Sequence, residues 1–197
     1  MSVLKRVKKI DFVYLPKFKD IYNNKAKSKI KIAAKDKVLC AKYRKSHFEG
    51  VLDVMDKLTN LIKPKKIFMG KKDFPQLFLV KNFIEKKFKT KIIGCKTIRD
   101  KKKLALSSRN YLFNKDDLEV ARNISKNFFL IKKKIKKHKN IKKFLLERKN
   151  NMQKKFKVKI EYLELRNEKT LNVTKKYRGS KLFVAYYLKN IRLIDNI

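Results

Sequence analysis

The sequence predicts an α/β fold in its first half and a small α+β unit in its second. Two observations carry this. Between Met55 and Gly94 the pattern runs helix, strand, helix, strand, which favours a parallel sheet flanked by helices. After Arg109, long amphipathic helices give way to strand-like segments that end in a hairpin, so a small antiparallel sheet is expected there.

Taken in order, Phe12-Val13-Tyr14-Leu15 reads as a short buried strand stopped by Pro16, and Lys29 to Ile32 as another. A helix follows His47. Val51, Met55, Leu58 and Ile62 recur at helical spacing as its apolar face, and Pro64 ends it. Ile67-Phe68-Met69 is an apolar strand ending at Gly70. Asp73 with Pro75 in the first turn is a good helix start, Asp73 serving as N-cap. Leu77, Val80, Ile84 and Phe88 form that helix's buried side, and Ile92-Ile93-Gly94 is the next strand. Asn114 caps a further helix with Asp117 three residues on, its stripe running from Leu118 through Ile124 and Phe128 to Ile135. A lysine-rich helix spans Ile141 to Phe156. Val158, Ile160 and Tyr162 alternate with Lys157, Lys159 and Glu161, the period of a half-buried strand. Leu182–Leu188 and Ile191–Ile194 form a closing hairpin turning near Lys189-Asn190.

A net charge of +40 is the most conspicuous bulk property, and it fits two readings. A strongly basic chain attracts polyanions such as nucleic acid. Lysine here is spread over nearly every segment rather than gathered in a stripe, and no RNA-binding or zinc module accompanies it. Compositional drift toward A/T-rich codons is a sufficient explanation of the excess and the favoured one, and no specific nucleic-acid partner is expected. Two isolated cysteines, Cys40 and Cys95, give neither a metal spacing nor a disulfide framework, which fits a reducing, cytoplasmic setting. The start shows no signal peptide, and the longest apolar stretch, Leu182–Leu188, is too short to span a bilayer.

Two segments carry chemistry because their polar residues follow short buried strands, where open α/β sheets bind ligands. In Gly70-Lys71-Lys72-Asp73-Phe74-Pro75-Gln76, Gly70 lets a ligand approach the backbone, and the helix start suits phosphate. Lys72 adds a mobile charge, Asp73 accepts from ribose hydroxyls, and Gln76 is a neutral donor and acceptor. In Leu104-Ala105-Leu106-Ser107-Ser108-Arg109-Asn110, two hydroxyls and an arginine make a compact phosphate-recognition set. Taken alone, the first also fits a capped helix with surface lysines, and the second a polar loop.

Together the segments resemble a known family. Ile93-Gly94-Cys95-Lys96-Thr97-Ile98-Arg99-Asp100 followed by Leu104 to Asn110 is similar to the signature of the pantothenate synthetases. So are Leu39-Cys40 with Arg44, His47-Phe48-Glu49-Gly50-Val51, Gly70-Lys71-Lys72-Asp73 with Gln76-Leu77, and the ending Arg192-Leu193-Ile194-Asp195-Asn196. Order and spacing agree from about Leu39 to the C-terminus. The resemblance implies an ATP-dependent acid–amine ligase that uses ATP and Mg2+ to turn pantoate into pantoyl adenylate. The amine of β-alanine then releases AMP and gives pantothenate. It also implies a homodimer, an incomplete Rossmann-like nucleotidyltransferase domain over residues 1–98 and a C-terminal lid domain over 99–197. By position, Gly70, the Lys71 backbone, Lys72 on phosphate and Asp73 on ribose would hold ATP. Ile98 would line its site, and Leu106, Ser107, Ser108 and Arg109 would form the phosphate loop. Gln76 would hold pantoate, with Arg44 and His47 in support.

The departures are specific. Lys71 replaces a family glutamate, reversing a charge expected beside the phosphates. Lys96 stands at a proline position and Lys103 at a loop glycine, which would stiffen the loop. The family's opening strand and His-x-Gly-His motif have no counterpart, because His47 and His138 are the only histidines. The expectation is a fragment lacking its N-terminal strands, inactive or impaired alone, with no catalytic residue or metal ligand assigned. The alternatives are a basic nucleic-acid-binding protein and a non-catalytic remnant.

Overall fold

Two short apolar runs become a parallel pair here because the helix between them, Phe74–Lys87, carries the chain back so that the second strand runs in the same direction as the first. In the computed structural model, which describes residues 10–22 and 30–197, β-strand and helix alternate as that pattern requires. A single turn, α1 (Phe18–Ile21), and a short α2 (Cys40–Tyr43) precede α3 (His47–Ile62), β1 (Lys66–Gly70), α4 (Phe74–Lys87) and β2 (Lys91–Cys95). β1 and β2 pair in parallel, Ile67 opposite Ile92 and Gly70 opposite Cys95. Ile67, Met69 and Ile92 pack with Leu77, Val80 and Ile84 of α4. On the opposite face the cross-strand pair Phe68 and Ile93 stays exposed, Phe68 at 65%.

The second half contains α5 (Lys115–Ile135), α6 (Ile141–Phe156), β3 (Lys159–Asn167), β4 (Ser180–Leu188) and β5 (Ile191–Asn196). The strands form an antiparallel sheet in the order β3-β4-β5. Asn114 Oδ1 accepts from the Asp117 N–H at 2.8 Å, the cap that starts α5. Asn140 caps α6 in the same way through the Lys143 N–H. One face of the sheet, with Leu163, Leu165, Leu182 and Val184, packs on Ile124, Phe128 and Ile131 of α5 and Phe144 of α6. The other face, with Tyr162, Phe183 and Ala185, packs on Leu39, Phe48, Leu77, Val80 and Ile92. The antiparallel sheet is therefore a shared wall, buried on both faces, and the two halves of the chain meet across it.

The predicted elements from Ile67 onward are present, with corrections of detail. Phe12–Leu15 is not a strand: Phe12 is 93% exposed and no strand lies beside it among the described residues. An isolated extended segment has unpaired backbone groups and nothing to bury against. Lys29 lies outside the described residues, and Ile30–Ile32 is irregular, although Ile32 is buried. In α3 the buried positions are Phe48, Leu52, Asp53 and Thr59, while Val51 and Met55 pack at their margin and Ile62 is exposed. That face is rotated because α3 packs beside α4 rather than flat on a full sheet. Asp73 makes no side-chain cap bond. A 3-10 turn over Lys71–Asp73 leads directly into α4, so Asp73 lacks the extended backbone that capping requires. Tyr162 faces away from Ile160, because the β3–β4 register shifts between those two residues. A bulge inserts one residue and reverses the alternation that the sequence suggests.

Candidate functional site

Three segments meet where β1 ends. The first is the Lys71–Asp73 turn. A Cβ placed on Gly70 would meet nothing within 4 Å, so open space adjoins its backbone. The turn is held from the far end of the chain, since Asn196 Nδ2 donates to the carbonyl oxygens of Lys71 at 2.9 Å and Lys72 at 2.7 Å.

The second segment runs from Ile98 to Arg109. Leu106 N–H donates to Ile98 O at 3.0 Å, and Arg99 and Ala105 form an antiparallel bridge. The turn between them is closed by Asp100, whose Oδ1 accepts from the Lys102 and Leu104 N–H groups at 2.9 Å each. Lys103 adopts φ +74° in this turn, a left-handed conformation that glycine takes without strain. Ile98 and Leu106, joined by that backbone bond, are both exposed, at 66% and 52%. Ser107 Oγ accepts from the Arg109 N–H at 3.2 Å, starting a 3-10 turn over Ser108–Leu112.

These two segments face a common space. Lys72, Ala105, Ser107, Asn110 and Asp195 line one small cavity. Asn110 Nδ2 donates to Ala105 O at 3.1 Å, while its Oδ1 is buried without a hydrogen-bond partner among the described residues. An orphaned acceptor beside a gap of about 10 Å³ marks a position that a single water would satisfy. The C-terminal strand fixes the relation between the segments. Arg99 makes a bidentate ion pair with Asp195 at 2.7 and 2.8 Å, and donates to Asn196 O at 3.1 Å.

The third segment is the approach to α3. His47 N–H donates to Arg44 O at 3.3 Å, and its ring sits 5.1 Å from that of Phe48. Burial, then the Arg44 charge, hold its imidazole below the usual range, and Asp73 opposes them. Both effects favour the neutral imidazole, with Arg44 and Asp73 in electrostatic reach. A network that sequence reasoning missed anchors this approach. Cys40 Sγ lies 3.2 Å from Tyr162 Oη, and 3.6 Å from both terminal nitrogens of Arg192, which pairs with Glu161 at 2.6 Å. Burial and the neighbouring Cys40 push the Tyr162 phenol far up.

Thus Gly70, Lys72, Asp73, Ile98, Leu106, Ser107 and Ser108 lie on segments that converge, and Arg44 and His47 sit beside them. Three residues behave differently. Lys71's backbone belongs to the turn, but its side chain packs over Gly94, on the far side from Lys72, so the reversed charge is not beside Ser107. Arg109 donates to Arg192 O at 2.9 Å, which ties the loop to β5. Gln76 lies half-buried on α4 and does not line the cavity. Arg99, Asn110, Asp195 and Asn196 were not singled out, although all four fall inside the quoted motifs. Their one-letter pattern says nothing of the Arg99–Asp195 and Asn196–Lys71 contacts, 96 and 125 residues apart, or of the Asn110 bond to Ala105 O.

No group of three or more His, Cys, Asp or Glu side chains among the described residues is placed to hold a metal ion. No helix among them is long and apolar enough to cross a membrane.

The family model described as pantoate-beta-alanine ligase matches residues 1–197. The pantothenate synthetase of Sulfurihydrogenibium sp. (strain YO3AOP1) is 33% identical over 192 residues, covering 95% of this chain and 69% of the relative. That of Flavobacterium psychrophilum is 35% identical over 193 residues, covering 94% and 67%. Among solved structures, pantothenate synthetase from Thermus thermophilus superposes with a TM-score of 0.89 at 22% identity, over 100% of this chain and 72% of that one. Pantoate-beta-alanine ligase from Francisella tularensis, complexed with beta-gamma ATP and beta-alanine, gives 0.70 at 29% identity, over 91% and 61%.

Proposed function

The chain belongs to the pantoate-beta-alanine ligase family, and from that premise we propose that the cleft between the Lys71–Asp73 turn and the Ser107–Arg109 loop binds ATP and pantoyl adenylate. In the proposed reaction a pantoate carboxylate oxygen attacks the α-phosphorus of ATP and pyrophosphate leaves. The β-alanine nitrogen then attacks the acyl carbon, the bond to AMP breaks, and the amine gives up a proton as pantothenate forms. A carboxylate is a poor electrophile, and adenylation supplies the leaving group. The protein's part is positioning and stabilising charge.

The observation that supports this reading most is that Lys72 and Ser107 border one small gap of about 10 Å³, which brings the two segments together beneath the proposed nucleotide. In the proposal Lys72 and the hydroxyls of Ser107 and Ser108 meet the phosphates, and Asp73 meets the ribose. The open space at Gly70 and the Lys71 backbone admit the nucleotide, with Ile98 and Leu106 as apolar walls. Arg109 keeps its bond to Arg192 O and presents its remaining N–H groups. Gln76 reaches pantoate, with His47 and Arg44 behind it. Magnesium would arrive bound to the triphosphate and be held chiefly by the substrate's own phosphates and water. A homodimer, a cytoplasmic place of action, and a lid role for residues 99–197 against 1–98 belong to the same proposal.

We further infer that turnover by this chain alone is impaired, because neither of its histidines stands in a His-x-Gly-His motif. His138 instead stacks on Phe144, 3.9 Å between ring centroids. The purified chain would be given ATP, magnesium, pantoate and β-alanine, with AMP release followed and ATP binding measured in parallel. Binding that weakens in Lys72→Ala, with little AMP formed, is the expected pair of results. Robust AMP release refutes the impairment, and unchanged binding in Lys72→Ala refutes the site.

A further inference from the structure

The Lys71–Asp73 turn has a second side. Where Lys72 faces the serine loop, Lys71 faces a separate cavity of about 730 Å³, well within the range of small-molecule sites. Its floor is apolar. Phe74 and Phe78, one turn apart on α4, lie over Ile92 and Gly94. Gly94 is what gives Lys71 its place, because a Cβ there would come within 2.9 Å of Lys71 Cε and 3.1 Å of Leu77 Cδ2.

The opposite wall is the connection between β3 and β4, and it is fixed in position. Glu168 N–H donates to Gly179 O at 2.9 Å, with Gly179 at φ +68°. Lys169 N–H donates to Asn167 Oδ1 at 2.8 Å. Leu171, 2% exposed, anchors the loop in the shared core, and Arg166 donates to its carbonyl at 2.6 Å.

The rim is cationic and short of counter-charge. Lys71, Lys81 and Lys169 line it, and none of the three has an ion pair among the described residues. Glu168 is the one carboxylate on the wall, so the lining carries a net positive charge. Lys181 lies 5.3 Å from the centroid of the Phe74 ring. Just behind, burial and then the Lys181 charge pull Lys132 down to about 8, against Glu168. A cationic rim over an aromatic floor selects a molecule that is anionic at one end and apolar at the other. Phosphate suits lysine rims, and aromatic rings offer flat apolar area.

We propose that the cavity between α4 and the β3–β4 connection binds a phosphorylated small molecule with an aromatic or apolar body, at a site separate from the Lys72–Ser107 cleft. The probe is phenyl phosphate, titrated into the full chain by calorimetry at physiological salt, with inorganic phosphate and benzyl alcohol as the two half-molecules. Saturable binding of phenyl phosphate is expected, with each half-molecule at least about tenfold weaker. Lys81→Glu/Lys169→Glu should weaken binding by about tenfold or more through like-charge repulsion, while the equally charge-reduced Lys133→Glu/Lys137→Glu at the end of α5 should change it by less than about threefold. Phe78→Ala should weaken phenyl phosphate but not inorganic phosphate. Equal losses in the two double variants would mean general attraction to a basic protein and would overturn the site. Inorganic phosphate binding as tightly as phenyl phosphate, or no binding at all, would overturn it too.

Discussion

The two sheets of this molecule each contain strongly apolar strands, β4 in one and β1 with β2 in the other, and these ended in different states. β4 is apolar from Leu182 to Leu188 and buried on both faces, with Leu182, Phe183, Val184 and Ala185 all at 2% exposure or less. β1 and β2 are apolar too, yet Phe68 and Ile93 face outward. The difference is cover. β4 is central, flanked by β3 and β5, with α5 and α6 on one face and the α3–α4 layer's cluster on the other. The parallel pair has α4 on one face and, among the described residues, nothing over Phe68. Parallel strands are ordinarily covered on both faces, so local strand propensity made both sheets and only tertiary neighbours completed one of them.

The shared wall should be the most sensitive point. Phe183→Ala opens a cavity where both halves meet and should cost about 3–5 kcal/mol in urea unfolding; a loss under about 1 kcal/mol would show that the halves do not depend on that contact. Asn196→Ala removes both bonds to the Lys71–Asp73 turn and should cost about 1–3 kcal/mol. On the proposed reading, nucleotide binding should weaken with it, while β1–β2 amide exchange quickens before that of β3–β5.

The pH dependence of the wall's edge is a finer probe. Lys132, which donates to Ser180 O at 2.9 Å, is held at about 8 in the fold against 10.5 when free. Between those values the unfolded chain binds more protons, so stability should rise with pH from 8 to 10.5. The wild type should show this rise and Lys132→Met should lack it, a difference of no more than about 1 kcal/mol after solvent screening. Lys103→Gly relieves the left-handed turn residue and should stabilise by about 0.5–1 kcal/mol, read as a higher urea midpoint. Phe68→Ser should be the quietest, within about 0.5 kcal/mol. A large loss there would mean that the outer face of β1 is covered in solution and would break the contrast between the sheets.

The elements from Ile67 onward were legible because periodicity and punctuation are local: Pro64, Pro75, Asn114 and the Lys189-Asn190 turn sit where chain neighbours alone decide the conformation. The expectation of a strand at Phe12–Leu15 fails for the complementary reason, since strand formation needs a partner that the segment itself does not specify. The candidate site was legible as a set of residue types, and Lys72 and Ser107 do line one cavity. Its scaffold was not legible. Nothing in Arg99, Asp195 or Asn196 announces that the end of the chain grips the corner after β1.

By itself, then, the sequence determined the helices from α3 onward, the two sheets' strands and the residue types available for nucleotide chemistry, because these follow from spacing along a single chain. Tertiary structure alone decided that Tyr162 turns from Ile160, that Lys71 and Lys72 face opposite sides, and that the antiparallel sheet is a wall common to both halves. A bulge, a tight turn and a two-sided core each depend on which distant segment comes to lie alongside, and that contact is absent from any local pattern.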